Sequence, residues 1–131
     1  MRIEPLNRWP DVLQMLVGYL GGRLSGVTVA TATDVTLVDK LPLLRPQRIP
    51  GGAADWITEE SIVDLTAFAA DEGGMWDLAA RAHSAMLELT GSSVVDTATC
   101  SSSFGYVPYS NPGVWRAEAT YRLTTRAQSH V

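Results

Sequence analysis

Two histidines, one cysteine and a few acid pairs are the residues of this sequence whose chemistry could serve catalysis or metal binding. His83 is followed directly by Ser84. Neighbouring residues of a helix point in different directions, and no acid is placed to orient the imidazole, so this pair does not predict a catalytic serine. His130 lies beside the C-terminus, and Cys100 has no partner at metal-ligand spacing, so the sequence predicts no zinc site. We therefore interpret His83 as a histidine of the surface or of the core edge.

Three glycine pairs, at 21–22, 51–52 and 73–74, come nearest to a phosphate-binding loop. None is followed by the Lys-Ser/Thr of a P-loop, and none has the G-x-G-x-x-G spacing of a dinucleotide site. Each lies where we expect an element to end, which is an ordinary place for glycine. Paired acids can do acid/base work, but Glu59-Glu60 and Asp71-Glu72 lack partner ligands and are interpreted as solvated turn residues. The sequence thus predicts no catalytic residue, no metal site and no cofactor.

Aromatic and arginine residues in or beside predicted loops give a different indication. The candidate protein-interface residues are Arg45, Arg48, Trp56, Tyr106 and Tyr109. Trp, Tyr and Arg are the residue types most often found as interface hot spots, and loops commonly carry binding residues. The alternative is that the aromatic side chains fold back over the sheet as a lid on the core, and the sequence leaves both possibilities open.

Length and composition predict one folded domain over residues 1–131, since 46% of the residues are hydrophobic and 18% are charged. The net charge is −4 and the ten basic residues are scattered, which argues against direct nucleic-acid binding. The single cysteine excludes an intrachain disulfide and fits folding in the cytoplasm. We expect neither a signal peptide nor a membrane span, because no apolar run is long enough.

Hydrophobic periodicity predicts two helices. The first, Asp11–Leu20, begins beside Pro10 and ends at the glycine pair 21–22. Its apolar face consists of Val12, Leu13, Leu16, Val17 and Leu20. The second, Trp76–Leu89, follows a chain break at the glycine pair 73–74 and has Gly91 in place for a C-cap. Its apolar stripe consists of Leu78, Ala82, Ala85, Met86 and Leu89.

Alternation and β-branched residues predict the strands. They are Val27–Thr33, Ser61–Ala69, Val94–Ser103 and Trp115–Thr124. The segment 41–52 is extended but carries three prolines, so we expect it at a sheet edge or irregular. Residues 51–60 and 104–113 are predicted loops. Residues 1–9 are a predicted N-terminal arm, and residues 126–131 a flexible tail.

The order of elements is helix, two or three strands, helix and two strands, and short connections favour antiparallel pairing. The last strand has one apolar and one polar face, so one side of it is wet or meets another subunit. We therefore expect an α+β fold in which both helices pack on one face of a mostly antiparallel sheet.

With these elements, the chain resembles the tail terminator, or tail completion, proteins of long-tailed bacteriophages, which form a ring at the head-proximal end of the tail. The matching parts are the helix Asp11–Leu20, the proline-bearing strand running into residues 48–52, the strand Ile62–Ala69 ending in Ala-Ala-Asp, the helix Trp76–Leu89 and the closing strand Trp115–Leu123. They cover nearly the whole chain as an order of elements with loose motifs. The loop 104–113 has no counterpart in the family.

This resemblance implies a structural virion protein without enzymatic activity or cofactor. It implies a homohexameric ring, assembled in the host cytoplasm, that ends the growth of the tail tube and offers a head-joining surface. The implied partners are the tail tube protein and a head-completion or connector protein. The family has no catalytic motif, so no functional residue is carried over. The alternatives are another phage neck component and, from a different class, a small enzyme or ligand-binding module with a pocket between helices and sheet.

Overall fold

Two helices pack on one face of a five-stranded, mostly antiparallel sheet in the structure of this chain, a computed structural model. The structure describes residues 7–8, 11–52, 58–126 and 128–129, and of the pairs 7–8 and 128–129 it describes the backbone. The α+β class, the mostly antiparallel sheet and the shared face of the two helices, all predicted from the sequence, are confirmed.

The helices are α1 (Val12–Arg23) and α2 (Glu72–Leu87), and neither is long and apolar enough to cross a membrane. The described strands are β1 (Asn7–Arg8), β2 (Thr28–Val29), β3 (Leu43–Ile49), β4 (Thr58–Ala69), β5 (Val95–Tyr106), β6 (Trp115–Arg126) and β7 (Gln128–Ser129). The sheet has the strand order β2-β3-β4-β6-β5, and only the β2–β3 pair in it is parallel. A short 3₁₀ helix, Leu37–Lys40, precedes β3.

The main core lies between the two helices and one face of the sheet, which we call the helix face. Alternate residues of the central strands point to it, as the period of a strand requires. They are Val63, Leu65 and Ala67 of β4 and Ala119, Tyr121 and Leu123 of β6, all buried. The buried residues that cover them are Val12, Leu16 and Leu20 of α1 and Leu78, Ala82, Ala85 and Met86 of α2.

The opposite face of the sheet, which we call the open face, is polar over much of its area. The hydroxyl of Thr120 donates to the Asp64 carboxylate at 2.7 Å across the β4–β6 pair. Farther along the same strands, the Arg122 guanidinium lies 2.9 Å from the Glu60 carboxylate. Near the end of β4, a second small core, which we call the open-face core, covers this face. Its buried members are Leu37, Leu43, Phe68 and Val114.

Both helices differ from the sequence prediction at their ends. Asp11 is the N-cap of α1, and the glycine pair 21–22, expected to end this helix, lies inside it. Asp71 is the N-cap of α2, and its carboxylate accepts a hydrogen bond from the Gly74 N–H at 2.6 Å. The glycine pair 73–74 therefore belongs to the first turns of α2 instead of breaking the chain, because the capping carboxylate satisfies an otherwise unpaired N–H there. Gly91, with φ of +82°, lies in the turn beyond the end of α2 rather than at its C-cap.

The strand boundaries differ as well. β2 is much shorter than the predicted strand Val27–Thr33. β4 begins at Thr58, inside the predicted loop 51–60, and β5 continues to Tyr106, inside the predicted loop 104–113. In both places the antiparallel pairing with β6 extends beyond the alternating pattern, because backbone hydrogen bonds between strands do not depend on side-chain type.

The two ends of the described chain meet in the β1–β7 pair, in the register Asn7 with Ser129 and Arg8 with Gln128. β6 also reaches Arg126. The sequence pattern predicted an arm over residues 1–9 and a flexible tail over 126–131, and it did not predict this pairing.

The β3 edge of the sheet fits the proline content of this segment. β2 pairs with only the first two residues of β3, and the Ala30 N–H donates to the Leu44 carbonyl at 3.1 Å. Leu44 thus directs its backbone groups towards β2. Because this direction alternates along a strand, all even-numbered residues of β3, Pro46 included, direct their backbone groups away from β4. Its missing N–H therefore leaves the β3–β4 ladder complete, as expected of an edge proline. At the other edge, the hydroxyl oxygen of Thr90 accepts from the Ala98 N–H at 2.9 Å and covers part of β5.

Candidate protein-interaction site

Two arginines and two aromatic rings form one continuous arrangement on the open face. The Arg45 guanidinium carbon lies 5.3 Å from the centre of the Phe68 ring. The rings of Tyr109 and Phe68 pack in a T-shaped arrangement, with ring centres 5.5 Å apart. The Arg116 guanidinium carbon lies 5.1 Å from the centre of the Tyr109 ring. We call these four residues the stack; each arginine is within the range at which an aromatic face attracts a cation.

The register of the sheet brings three members of the stack together. Phe68 of β4 is directly opposite Leu43 on β3 and Arg116 on β6, and Arg45 is two residues farther along β3. All of them point to the open face because successive side chains of a strand alternate between faces.

Tyr109 reaches the stack from the turn that joins β5 and β6. This turn is held by the Val107 N–H, which donates to the Arg116 carbonyl at 2.9 Å, and by the Gly113 N–H, which donates to the Asn111 side chain at 2.8 Å. Arg116 itself donates from Nη2 to the Pro108 carbonyl at 2.5 Å. These hydrogen bonds hold the turn that carries Tyr109, and they attach the Arg116 side chain to it.

The positive charges of the stack have no carboxylate partner among the described residues. The ion pairs in that part of the chain are Arg23–Glu88, Arg48–Glu59 and Arg122–Glu60. Arg45 donates from Nη1 to the Thr33 hydroxyl at 3.1 Å, and its buried Nε has no acceptor. An incompletely satisfied, half-buried guanidinium is costly by itself and gains from a nearby anion. The stack is therefore suited to an acidic group that the described residues do not supply.

The four candidate interface residues that the structure describes do not form one site. Arg45 and Tyr109 come together in the stack, where Tyr109 covers the open-face core as the lid alternative describes. Tyr106 is 51% exposed and packs on Trp115, with ring centres 5.3 Å apart. Arg48 lies near the far end of β3 and pairs with Glu59 at 3.2 Å, and Trp56 lies outside the described residues.

Sequence reasoning missed Phe68 and Arg116. A signal for Phe68 was present, because it follows Asp64 and Thr66 at two-residue spacing and is a large apolar residue on the polar side of its strand. Arg116 carried no such signal, since it belongs to an ordinary polar set that alternates along β6.

A turn beside the stack presents two exposed valines. Val35 is 99% exposed and Val38 is 54% exposed. The turn is ordered: the Asp34 carboxylate accepts from the Thr36 N–H at 2.8 Å, and Leu37 is buried in the open-face core. The hydroxyl and N–H of Thr36 hold the pKa of Asp34 below its ordinary value. We call residues 34–38 the valine turn.

One further group of titratable side chains lies on the helix face. The Tyr121 hydroxyl is 2.7 Å from Nδ1 of the half-buried His83, which matches the expectation of a core-edge histidine. Burial raises the pKa of Tyr121, and the neighbouring Cys100 adds to this effect. The hydrogen bond satisfies a hydroxyl inside the core, which is a structural task. Within the described ranges, no three His, Cys, Asp or Glu side chains are grouped to hold a metal ion.

No protein-family model matches this sequence, and no curated protein sequence matches it either. The functional inference therefore rests on the order of elements, the fold and the chemistry of the two sheet sides. The stack and the valine turn are features of the open face that a partner protein could contact.

Proposed function

We propose that this protein is a tail terminator of a long-tailed bacteriophage. In this proposal it is a structural subunit that forms a ring at the head-proximal end of the tail, ends polymerisation of the tail tube and offers the surface to which the head is joined. The order of its elements resembles that family over nearly the whole chain. The proposal makes the tail tube protein and a head-completion protein its partners, and it assigns the chain no catalytic step.

The observation that carries an assembly role is the stack. Two guanidinium groups are held on aromatic rings, without a carboxylate among the described residues. Phe68 is buried beneath the stack, whereas Arg45, Tyr109 and Arg116 are half-buried at the surface. Arginine and tyrosine are residue types that are enriched in interface hot spots. The exposed valines beside them add apolar surface, and covering this surface with a partner makes the free energy of binding more favourable.

A terminator needs two different faces, because one must fit the tube and the other must refuse a further tube ring. In this proposal the loops of the subunit supply these two faces, and the sheet is the scaffold that holds the loops. A ring rather than a filament forms when the repeated contact closes by rotation. The proposed number of six subunits comes from the family resemblance.

The test is to remove this gene from its phage and to image the particles by electron microscopy. We expect overlong tails without heads, because tube growth is no longer stopped. Supplying the gene from a plasmid must restore tails of normal length joined to heads. Tails of normal length on complete particles would refute the proposal. Tails of normal length that are detached from heads would indicate a neck component instead.

A further inference from the structure

The two sides of the sheet carry complementary chemistry at the same end of the molecule. On the open face lie the stack and the valine turn. On the other side, α2 begins with three carboxylates, those of Asp71, Glu72 and Asp77. We call these three residues the acidic helix start. Asp71 caps its own helix, and none of the three is in an ion pair within the described part of the chain.

Both sides of the sheet also carry exposed apolar side chains. Trp76 lies in α2 directly before Asp77 of the acidic helix start and is 41% exposed. It borders a groove of about 260 Å³ that also includes Ala80 and Phe104, between α2 and β5. The open face offers the two exposed valines of the valine turn. Each side thus combines exposed apolar side chains with unpaired charges, and the charges at the stack and at the acidic helix start have opposite sign.

We infer that the open face of one subunit binds the acidic helix start of a second copy of this chain, so that Arg45 and Arg116 face Glu72 and Asp77. This contact rests on the proposed function, for which it supplies the bond between neighbouring ring subunits. Charge complementarity selects a second copy as the occupant, because the chain itself carries both halves of the contact.

The position of the two halves favours closure. Phe68 lies next to the last residue of β4, and α2 begins only three residues after β4 ends. The stack and the acidic helix start are therefore at the same end of the sheet but on opposite sides. The contact uses different surfaces on the two subunits, so it is head-to-tail. Such a contact forms a ring when its rotation closes and there is no displacement along the ring axis, and halves at the same end of the sheet keep that displacement small.

Other charged groups near the open-face half do not change this pairing. The Asp34 carboxylate accepts from Thr36 inside its own turn. Asp39 and Lys40 carry opposite charges side by side on the 3₁₀ helix. Glu118 belongs to the same open-face set of β6 as Arg116 and carries the same charge as an incoming carboxylate. The two guanidinium groups are the charges that lie on the aromatic rings.

A charge-swap experiment tests the contact. We expect Asp77→Lys and Arg116→Glu each to weaken self-association by about ten-fold or more, because each places like charges opposite one another. In an equimolar mixture the two variants can alternate around the ring. At every second contact the new lysine of the Asp77→Lys variant then meets the new glutamate of the Arg116→Glu variant, which restores an opposite-charge pair with its signs reversed. At the remaining contacts the wild-type Asp77 and Arg116 meet. Native mass spectrometry and analytical ultracentrifugation should therefore show a ring for the mixture but monomers for each variant alone.

Matched controls separate this contact from general charge effects. Arg122→Glu lies on the same face of β6, about 20 Å from Arg116 at strand spacing, and is expected to assemble like wild type. Glu88→Lys lies beyond the other end of α2, about 16 Å from Asp77 at helical spacing, and is expected to do the same. Circular dichroism checks that every variant is folded. If Arg116→Glu does not fold, Val35→Glu, at a fully exposed position, replaces it as the open-face variant.

Several results would overturn the inference. Unchanged assembly of both single variants would place the contact elsewhere. Folded variants that stay monomeric in the mixture would show that the two positions do not face each other. A wild-type chain that forms a closed dimer would exclude a head-to-tail self-contact. A wild-type chain that stays monomeric at about 1 mM would exclude it as well, because at that concentration only contacts weaker than roughly 4 kcal/mol escape detection. The gene-removal phenotype is independent of all these outcomes, so the terminator role and this contact can fail separately.

Discussion

Replacing Leu78 with alanine should destabilise the subunit strongly, because this side chain lies in the core between α2 and the helix face. Leu78 is 1% exposed and belongs to the cluster that also holds Leu16 and Leu65. Leu87 offers a matched control on the same helix, since it is 42% exposed. Leucine and alanine have similar helix propensities, so the two substitutions differ mainly in what they remove from the core.

The expected size follows from burial. Leu→Ala removes three carbon atoms, and at about 0.8 kcal/mol for each buried methylene the transfer term is about 2.4 kcal/mol. The cavity left behind adds to this, which gives a total of about 2–5 kcal/mol. The same change at the exposed Leu87 should stay within about 0.5 kcal/mol. Leu16→Ala, at a position that is 0% exposed, should fall in the same range as Leu78→Ala.

Urea unfolding followed by circular dichroism measures these differences. The protein must be dilute enough that the midpoint does not depend on concentration, because self-association would add to the apparent stability. With a slope of about 2 kcal/mol per molar urea, a loss of about 2–5 kcal/mol in Leu78→Ala should lower the midpoint by roughly 1–2.5 M. A midpoint for Leu78→Ala that moves no more than that of Leu87→Ala would refute the packing of α2 on the sheet.

Three further predictions concern local features. Asp71→Ala should lower the free energy of unfolding by about 1 kcal/mol, measured by the same urea titration, because the Gly74 N–H loses its cap. Burial raises the pKa of Tyr121, so the folded state retains its proton to higher pH than the unfolded state and stability should fall as pH rises above about 10. Tyr121→Phe should remove this alkaline loss, and an unchanged pH profile would contradict the assignment. Hydrogen exchange in the dilute subunit should be faster at the Arg48 amide, which points away from β4, than at the neighbouring Gln47 amide; equal slow exchange at both would show that this edge is covered.

The architecture could be predicted from the sequence because hydrophobic periodicity reports which side of an element is buried. The alternation of Trp115–Thr124 predicted the buried face of β6, and the stripe containing Leu78 and Met86 predicted the buried side of α2. From these faces the α+β arrangement with both helices on one side follows, since each apolar face must be covered.

Element ends were less predictable because glycine pairs have no single meaning. The pairs 21–22 and 73–74 lie within helices, where a nearby cap and tertiary packing outweigh the low helix propensity of glycine. The pairing of β1 with β7 joins residues at opposite ends of the described chain. A local pattern carries no information about such a contact.

The candidate site was predictable only in part for the same reason. Residue type indicated Arg45 and Tyr109, but their common neighbour Phe68 connects them only through the register of β3 with β4 and through the turn after β5. Arg116 enters the site through its position opposite Phe68. Asp71 and Glu72 of the acidic helix start were interpreted as solvated turn residues, and their place on the far side of the sheet from the stack became visible only in three dimensions.

The central claim is that this chain forms the ring at the head-proximal end of a phage tail. Electron cryo-microscopy of that end of the purified tail tests it most directly. We expect a single ring, distinct from the tube rings below it, into which six copies of this α+β fold fit with the open face of each against the acidic helix start of the next. Density at that position that does not accommodate the fold, or a fit of the fold elsewhere in the particle, would contradict the claim.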